Sequence, residues 1–203
     1  LNYSGDTHQS FSNKKNVPLA GGLFILIPII FFLNDFSISC FIILIYLIGF
    51  FSDRKILVSP KKRFLIQCIV IILFVIISDV RVNSSRVELF DIILNNKFFA
   101  IFFSSFCLLI LINGSNFIDG LNGLLISFTI IIFLMLNKLN LIDNSIISDQ
   151  SINLIIIILL LLLLLNIFNF LMLGDSGAYL LGFFVGFIII SSHINNPDIS
   201  PYF

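Results

Sequence analysis

The chain alternates between long apolar runs and short polar segments, and it lacks the strict residue-by-residue alternation of barrel strands. Seven apolar runs stand out, at residues 19–33, 36–51, 64–78, 98–112, 121–136, 152–173 and 178–192. Backbone N–H and C=O groups cannot stay unpaired in lipid, and an α-helix pairs them internally. The pattern therefore predicts an all-α fold: a polytopic membrane helix bundle of about seven transmembrane helices, forming a single domain over residues 1–203. Several runs are near 15 residues, so some helices are expected to be short for a bilayer.

Composition supports a membrane protein and excludes two other classes. Of 203 residues, 59% are hydrophobic and only 11% are charged, whereas soluble domains carry about 25% charged residues. A water-soluble globule and a disordered chain are both excluded. The net charge of zero and the lack of a large basic cluster exclude a nucleic-acid partner. The lipid bilayer is thus the first predicted partner.

The direction of the spans assigns every connecting segment to one of two membrane faces. Seven alternating spans put the N-terminal segment, the loops 52–63 and 113–120 and the tight turn 174–177 on the same face. That face carries seven of the eleven Lys and Arg residues: Lys14, Lys15, Arg54, Lys55, Lys61, Lys62 and Arg63. By the positive-inside rule it is the cytoplasmic face.

Each interior segment of this face contributes one carboxylate, namely Asp53, Asp119 and Asp175. A charged group at membrane depth costs roughly 2.5–3.5 kcal/mol on insertion scales, so such groups normally face a cavity, a partner or a metal. Three converging carboxylates repel one another unless a cation lies between them. Because the ligands would be carboxylate and phosphate oxygens, Mg²⁺ is the predicted cation, and Mn²⁺ is an alternative.

The same segments contain features that suit an anionic ligand. Their Asn-Gly, Asp-Gly and Gly-Asp pairs allow backbone conformations with positive φ that expose N–H groups. Helix starts after Gly123 and Gly177 would add partial positive charge, and residues 61–63 add three cations. Together these features predict a cytoplasmic site for a phosphate-rich substrate.

Every one of these features also has a simpler interpretation. Asp53 can balance the neighbouring cations in a solvated loop, and Asp119 can end a helix in an Asx turn. Asp175 can be the N-cap of the span that begins near Ala178. The basic residues 61–63 can serve only membrane topology or contact anionic lipid.

Four segments of the chain, in order, resemble the polyprenyl-phosphate N-acetylhexosamine-1-phosphate transferases of glycosyltransferase family 4. They are VPLAGG at 17–22, GFFSD at 49–53 followed by SPKKR at 59–63 and Gln67, NGSNFIDGLNGL at 113–124, and GDSGAYLLG at 174–182. The family includes enzymes that start O-antigen of lipopolysaccharide, enterobacterial common antigen and teichoic acid linkage units, and the related phospho-MurNAc-pentapeptide translocase of cell wall synthesis.

The resemblance implies an enzyme of the bacterial inner membrane, multi-pass, with its active site facing the cytoplasm. Such an enzyme transfers a sugar-1-phosphate from a UDP-sugar such as UDP-GlcNAc to undecaprenyl phosphate, releases UMP and needs Mg²⁺. A homodimer is left open as a further partner.

The resemblance also implies roles for individual residues. Asp175 would be the metal ligand, Asp53 would position or deprotonate the acceptor phosphate, and Asp119 is the second candidate catalytic residue. Lys61 or Lys62 would meet the diphosphate, and the 113–122 loop would line the uridine and pyrophosphate pocket. The remaining candidate substrate-binding residues are Asn113, Asn116, Gly120, Asn122, Gly174 and Ser176.

Two positions depart from the family pattern. Ser52 stands where the family usually has the first of two aspartates, and Asn122 stands where a DGxDG motif has its second aspartate. The departures leave open a different donor sugar or an inactive paralogue. A cation-coupled transporter in which Asp119 and Asp175 bind the ion is an alternative from another class, and a noncatalytic scaffold that kept the fold is a third.

The resemblance finally implies parts that this chain does not contain. Family members have about ten spans and a cytoplasmic loop near the C-terminus that bears His and Arg. We therefore expect the 203-residue domain to be incomplete at both ends.

Overall fold

The computed structural model describes residues 17–197, and this part of the chain folds into eight helices. They are α1 (Gly21–Phe32), α2 (Phe36–Asp53), α3 (Pro60–Ser78), α4 (Glu88–Leu94), α5 (Lys97–Ile118), α6 (Leu124–Lys138), α7 (Asp149–Ile167) and α8 (Gly174–Asn195). The predicted all-α membrane bundle is confirmed. The N-terminal segment with Lys14 and Lys15 lies outside the described residues.

Helix α8 is the centre of the bundle, and α1, α2, α5 and α6 all contact it. Nearly every residue of α8 between Gly174 and Ser192 is buried. Phenylalanine rings fill the space around it in edge-to-face pairs: Phe74 of α3 lies 4.9 Å from Phe183, and Phe133 of α6 lies 5.4 Å from Phe184. Because α8 is packed against other helices on several sides, it has no face that needs to be polar.

Four described helices are long and apolar enough to cross a bilayer: α2, α5, α7 and α8. Helices α1 and α6 are apolar but shorter, and the 12 residues of α1 span only about 18 Å at about 1.5 Å per residue. Helix α3 has 19 residues but carries three basic residues in its first turn, and it is not one of these four helices. The protein is a multi-pass membrane protein, but the count of seven spans is not confirmed.

Three predicted boundaries on the basic face are wrong. The expected loop 113–120 is mostly helix, because α5 continues to Ile118. The expected turn 174–177 is the first turn of α8, which begins at Gly174 and not after Gly177. The basic residues 61–63 are not in a loop either, since α3 begins at Pro60, a residue type favoured at the first position of a helix.

Two other differences lie elsewhere in the chain. Helix α7 ends at Ile167, so residues 168–173 of the predicted sixth run form a connection. This connection pairs with the segment just before α1 through a parallel bridge between Met172 and Leu19. The short helix α4 was not predicted. It lies between α3 and α5 and packs Phe90 against Phe99 and Phe103 of α5.

Candidate active site

Asp53, the last residue of α2, closes the N-terminus of α8. The first N–H groups of any helix lack partners within the helix, and the N-cap residue of α8, Leu173, has no side chain that can accept them. The Asp53 carboxylate accepts two of these N–H groups: Oδ1 accepts that of Asp175 at 2.8 Å, and Oδ2 accepts that of Ser176 at 3.0 Å. The interpretation of Asp175 as the N-cap is therefore wrong, because a residue from another helix takes that role.

This contact requires two glycines. A Cβ built on Gly49 of α2 would lie 2.4 Å from the Cα of Ser176, so only glycine lets the two backbones approach this closely. Gly174 has φ +73°, a left-handed conformation that glycine adopts without strain, and a Cβ there would meet Asp53 Oδ2 at 2.8 Å. The end of α2 and the start of α8 thus form one tightly packed unit.

The Asp175 side chain is held by two groups, and both contact the same oxygen. Ser52 Oγ donates to Oδ2 at 2.5 Å, and Arg63 Nη1 donates to Oδ2 at 2.6 Å. Arg63 also donates to Ser52 Oγ. The Arg63 and Asp175 side chains are only 20% and 21% exposed, and no hydrogen bond reaches Oδ1 of Asp175 from any residue between 17 and 197.

Asp119 follows the last residue of α5 and is half-buried. Burial raises the pKa of its carboxyl group well above the usual value, and the negative charges of Asp175 and Asp53 raise it further. Within the described range, its carboxylate accepts no hydrogen bond. The structure thus brings Asp119 within electrostatic reach of the other two aspartates, as the one-face assignment predicted.

The other predicted site residues are divided between this helix end and its surroundings. Ser176 and Gly174 lie in the first turn of α8. Asn113 lies inside α5, where its side chain donates to Gln67 Oε1 at 3.2 Å, and Asn116 is one turn further along the same helix. Their predicted place in a loop is wrong.

Gly120 and Asn122 do lie in the connection between α5 and α6. Asn122 is exposed and donates to Asn169 Oδ1 at 2.7 Å, which joins this connection to the segment after α7. Lys61 and Lys62 are exposed in the first turn of α3. Their contact with a diphosphate stays a prediction.

Two residues of the site were not singled out from the sequence: Ser52, which appeared only as a departure from the family pattern, and Arg63, which appeared only as part of a basic run. The spacing of residues along α3 could have identified Arg63. With α3 starting at Pro60, Arg63 lies one turn before Gln67 and two turns before Ile71. Both of these are fully buried, so Arg63 shares the inward face, whereas Lys61 and Lys62 do not.

The described residues contain no group of three or more His, Cys, Asp or Glu side chains arranged to hold a metal ion. The expected three-carboxylate arrangement is therefore absent here, since Asp53 is engaged by the backbone of α8. Oxygen donors suited to a hard cation remain at Asp175 Oδ1 and at Asp119, which lies near two other carboxylates and accepts no hydrogen bond from residues 17–197. This donor set fits Mg²⁺ with water or substrate oxygens as further ligands.

A polytopic helical membrane protein with an acidic and basic cluster at one end of its bundle is the class that the fold and the site define. The family model of glycosyl transferase family 4 matches residues 36–193. This match covers most of the chain, and the chain belongs to that family. The protein is accordingly a transferase of the kind that joins a sugar phosphate to a polyprenyl phosphate. Comparisons with curated proteins and with solved structures find no match.

Proposed function

We propose that the protein transfers N-acetylhexosamine-1-phosphate from a UDP-sugar to undecaprenyl phosphate and releases UMP, as the first membrane step of a bacterial cell-envelope polysaccharide. The observation that carries the proposal is the cluster at the start of α8, in a chain of this family. There, Asp175, Ser52 and Arg63 form one hydrogen-bonded group, with Asp119 within electrostatic reach. The active site would face the cytoplasm of the inner membrane, the side favoured by the basic residues.

In the proposed reaction, an oxygen of the acceptor phosphate attacks the phosphorus that carries the sugar. A new P–O–P bond forms, the bond between that phosphorus and the bridging oxygen of the donor diphosphate breaks, and UMP leaves with the bond electrons. A phosphate monoester has a second pKa near 6 and is mostly dianionic at neutral pH, so it is already a nucleophile. The protein's main work is then to position the reactants and to stabilise charge.

The residues of the cluster have distinct proposed roles. Asp175 and Asp119 would hold Mg²⁺, or Mn²⁺, which would neutralise charge on the transferred phosphate. Arg63 holds Asp175 in place and adds positive charge beside it. Lys61 and Lys62, exposed on the same first turn, would contact the donor diphosphate, and Asn122, which offers a donor and an acceptor, would contact the uracil. Asn113, Asn116 and Gly120 would line the nucleotide side.

The experiment is a UMP-release assay on membranes that contain the full-length gene product, with UDP-GlcNAc and other UDP-N-acetylhexosamines as donors. We expect release that requires both undecaprenyl phosphate and Mg²⁺, and a loss of several orders of magnitude in Asp175→Asn. Lys138→Ala at the end of α6 is a suitable control, because Lys138 lies outside the cluster. A folded protein that releases no UMP from any of these donors would contradict the proposal and favour an inactive paralogue.

A further inference from the structure

Asp53 and Ser52 are adjacent at the end of α2, and they hold two different parts of Asp175. The Asp53 carboxylate accepts the backbone N–H of Asp175 and of the following residue. The Ser52 hydroxyl donates to the Asp175 carboxylate. The last turn of α2 therefore fixes both the backbone and the side chain of Asp175.

We propose that Asp53 is a positioning residue that holds Asp175 through the first turn of α8, and that it does not take a proton from the acceptor phosphate. The inference deepens the proposed function and rests on it. It replaces both roles that the family resemblance implies for Asp53, which are to position or to deprotonate the acceptor.

The hydrogen-bond geometry supports this assignment. Each carboxylate oxygen of Asp53 accepts one N–H group at the positive end of α8. Each oxygen keeps a second lone pair, but a proton on either oxygen would neutralise the carboxylate and weaken its hydrogen bonds to the amides of Asp175 and Ser176. Gly49 packs against Ser176 one turn earlier on α2, so no phosphate group fits between the two helices at that level.

The chemistry of the acceptor supports it as well. Because a phosphate monoester is mostly dianionic at neutral pH, the reaction does not need a general base. It does need a metal ligand that is correctly oriented. Ser52 and Arg63 both contact Oδ2 of Asp175, which leaves Oδ1 directed away from these contacts as the oxygen available to a cation.

The test compares Asp53→Asn and Asp53→Ala in the full-length protein, with Mg²⁺ concentration as the variable. Partners that orient a metal ligand typically change metal affinity by 10–100-fold. We expect Asp53→Ala to raise the Mg²⁺ concentration for half-maximal UMP release by about that factor, with kcat largely restored at saturating Mg²⁺. Asp53→Asn should lie between Asp53→Ala and the wild type, since its side-chain oxygen can still accept one of the two N–H groups.

A matched control is available at the other end of the same helix. Asp35 is the N-cap of α2, and its carboxylate accepts the N–H of Ser37 and of Ile38. Asp35→Ala therefore removes a comparable cap, and it should lower stability without changing the Mg²⁺ dependence. If Asp35→Ala changes that dependence as much as Asp53→Ala does, the effect is general loss of stability and the proposal is overturned.

A general base contributes typically 10²–10⁴-fold to a rate. Equal losses of this size in Asp53→Asn and Asp53→Ala that persist at saturating Mg²⁺ would identify Asp53 as the proton acceptor and overturn the proposal.

Hydrogen exchange separates this inference from the proposed function. The amides of Asp175 and Ser176 should exchange faster in Asp53→Ala than in the wild type, whether or not the protein releases UMP. If the wild type releases no UMP but exchange responds in this way, the proposed reaction fails and the positioning contact stands. Unchanged exchange in Asp53→Ala would overturn the positioning role itself.

Discussion

At the scale of single residues, three aspartates of one cluster have three different surroundings. Asp53 binds backbone N–H groups, Asp175 binds a hydroxyl and a guanidinium, and Asp119 lies within electrostatic reach of these two carboxylates. The same residue type can thus cap a helix, form an ion pair with an arginine, or remain available to a metal ion. None of these differences can be read from the neighbours of each aspartate along the chain.

Gly49→Ala should destabilise the protein, because its new Cβ would lie 2.4 Å from the Cα of Ser176. Overpacking of this kind costs typically about 1–3 kcal/mol, and here the obstacle is backbone. The matched control is Gly114→Ala in α5, where a Cβ would have no neighbour within 4 Å. Thermal unfolding in detergent measures both variants. A Gly49→Ala protein as stable as Gly114→Ala would contradict the close approach of α2 and α8.

Asp119 should make the metal-free protein less stable as pH rises. Its folded-state pKa is raised by burial and by the charges of Asp175 and Asp53, so the folded state keeps a proton that the unfolded state, with a pKa near 4, has already released. The free energy of unfolding should therefore fall as pH rises from about 4 through the folded-state pKa.

Thermal unfolding in detergent with a chelator, measured across pH, tests this expectation. Asp119→Asn should remove this part of the pH dependence, and Mg²⁺ should restore the stability of the wild type at high pH. A wild type and an Asp119→Asn variant with the same pH dependence would contradict the raised pKa.

At the scale of elements, helix boundaries decide which residues meet. Residues 113–118 contain Asn, Gly and Ser, which are weak helix formers and predicted a loop. The helix continues because α5 packs along α8, where Ser115 lies against Gly182. The start of α8 at Gly174 likewise depends on α2, since Asp53 supplies the cap that its own N-cap residue lacks. Tertiary contacts override local propensity in both cases.

Arg63→Ala should destabilise the protein more than Lys62→Ala, because only the Arg63 side chain faces Asp175. Hydrogen bonds to charged groups contribute about 1.5–3 kcal/mol, whereas most surface substitutions stay within about 0.5 kcal/mol. Arg63→Lys should be intermediate, since a lysine cannot reproduce the planar fork of donors. Thermal unfolding checks the order of the three variants, and equal stability of Arg63→Ala and Lys62→Ala would contradict the ion pair as a stabilising contact.

At the scale of the whole molecule, α8 is the packed core and the outer helices provide the lipid-facing surface. Large apolar side chains are exposed along α3, α5, α6 and α7, for example Leu73, Phe102, Ile131 and Ile157. In a soluble protein such a surface would cause aggregation, whereas in a bilayer it faces a solvent of its own polarity. The bundle is therefore arranged around one buried helix that carries Asp175 at its first turn.

The absence of tryptophan from the sequence allows a direct test of this arrangement. Ile157 lies near the middle of α7 and is 53% exposed. The tryptophan fluorescence of the Ile157→Trp variant should therefore be strongly quenched by lipids brominated at mid-chain. A tryptophan at Asn144→Trp, in the segment before α7, should be quenched weakly because it lies near the membrane surface. Fluorescence of the two variants in reconstituted vesicles gives the comparison, and the reverse order would contradict α7 as a membrane span.

The sequence by itself determined the fold class and the family, because the lengths of apolar runs and short motifs can be read from the chain without knowing its tertiary contacts. It also predicted a common face for Asp53, Asp119 and Asp175, and the structure brings them within electrostatic reach of one another. Only the tertiary structure decided where α5 ends, where α8 begins and which cation contacts Asp175. Those outcomes depend on partners far apart in the chain: Asp53 and Ser52 are more than 120 positions away from Asp175, and Arg63 is 112 positions away.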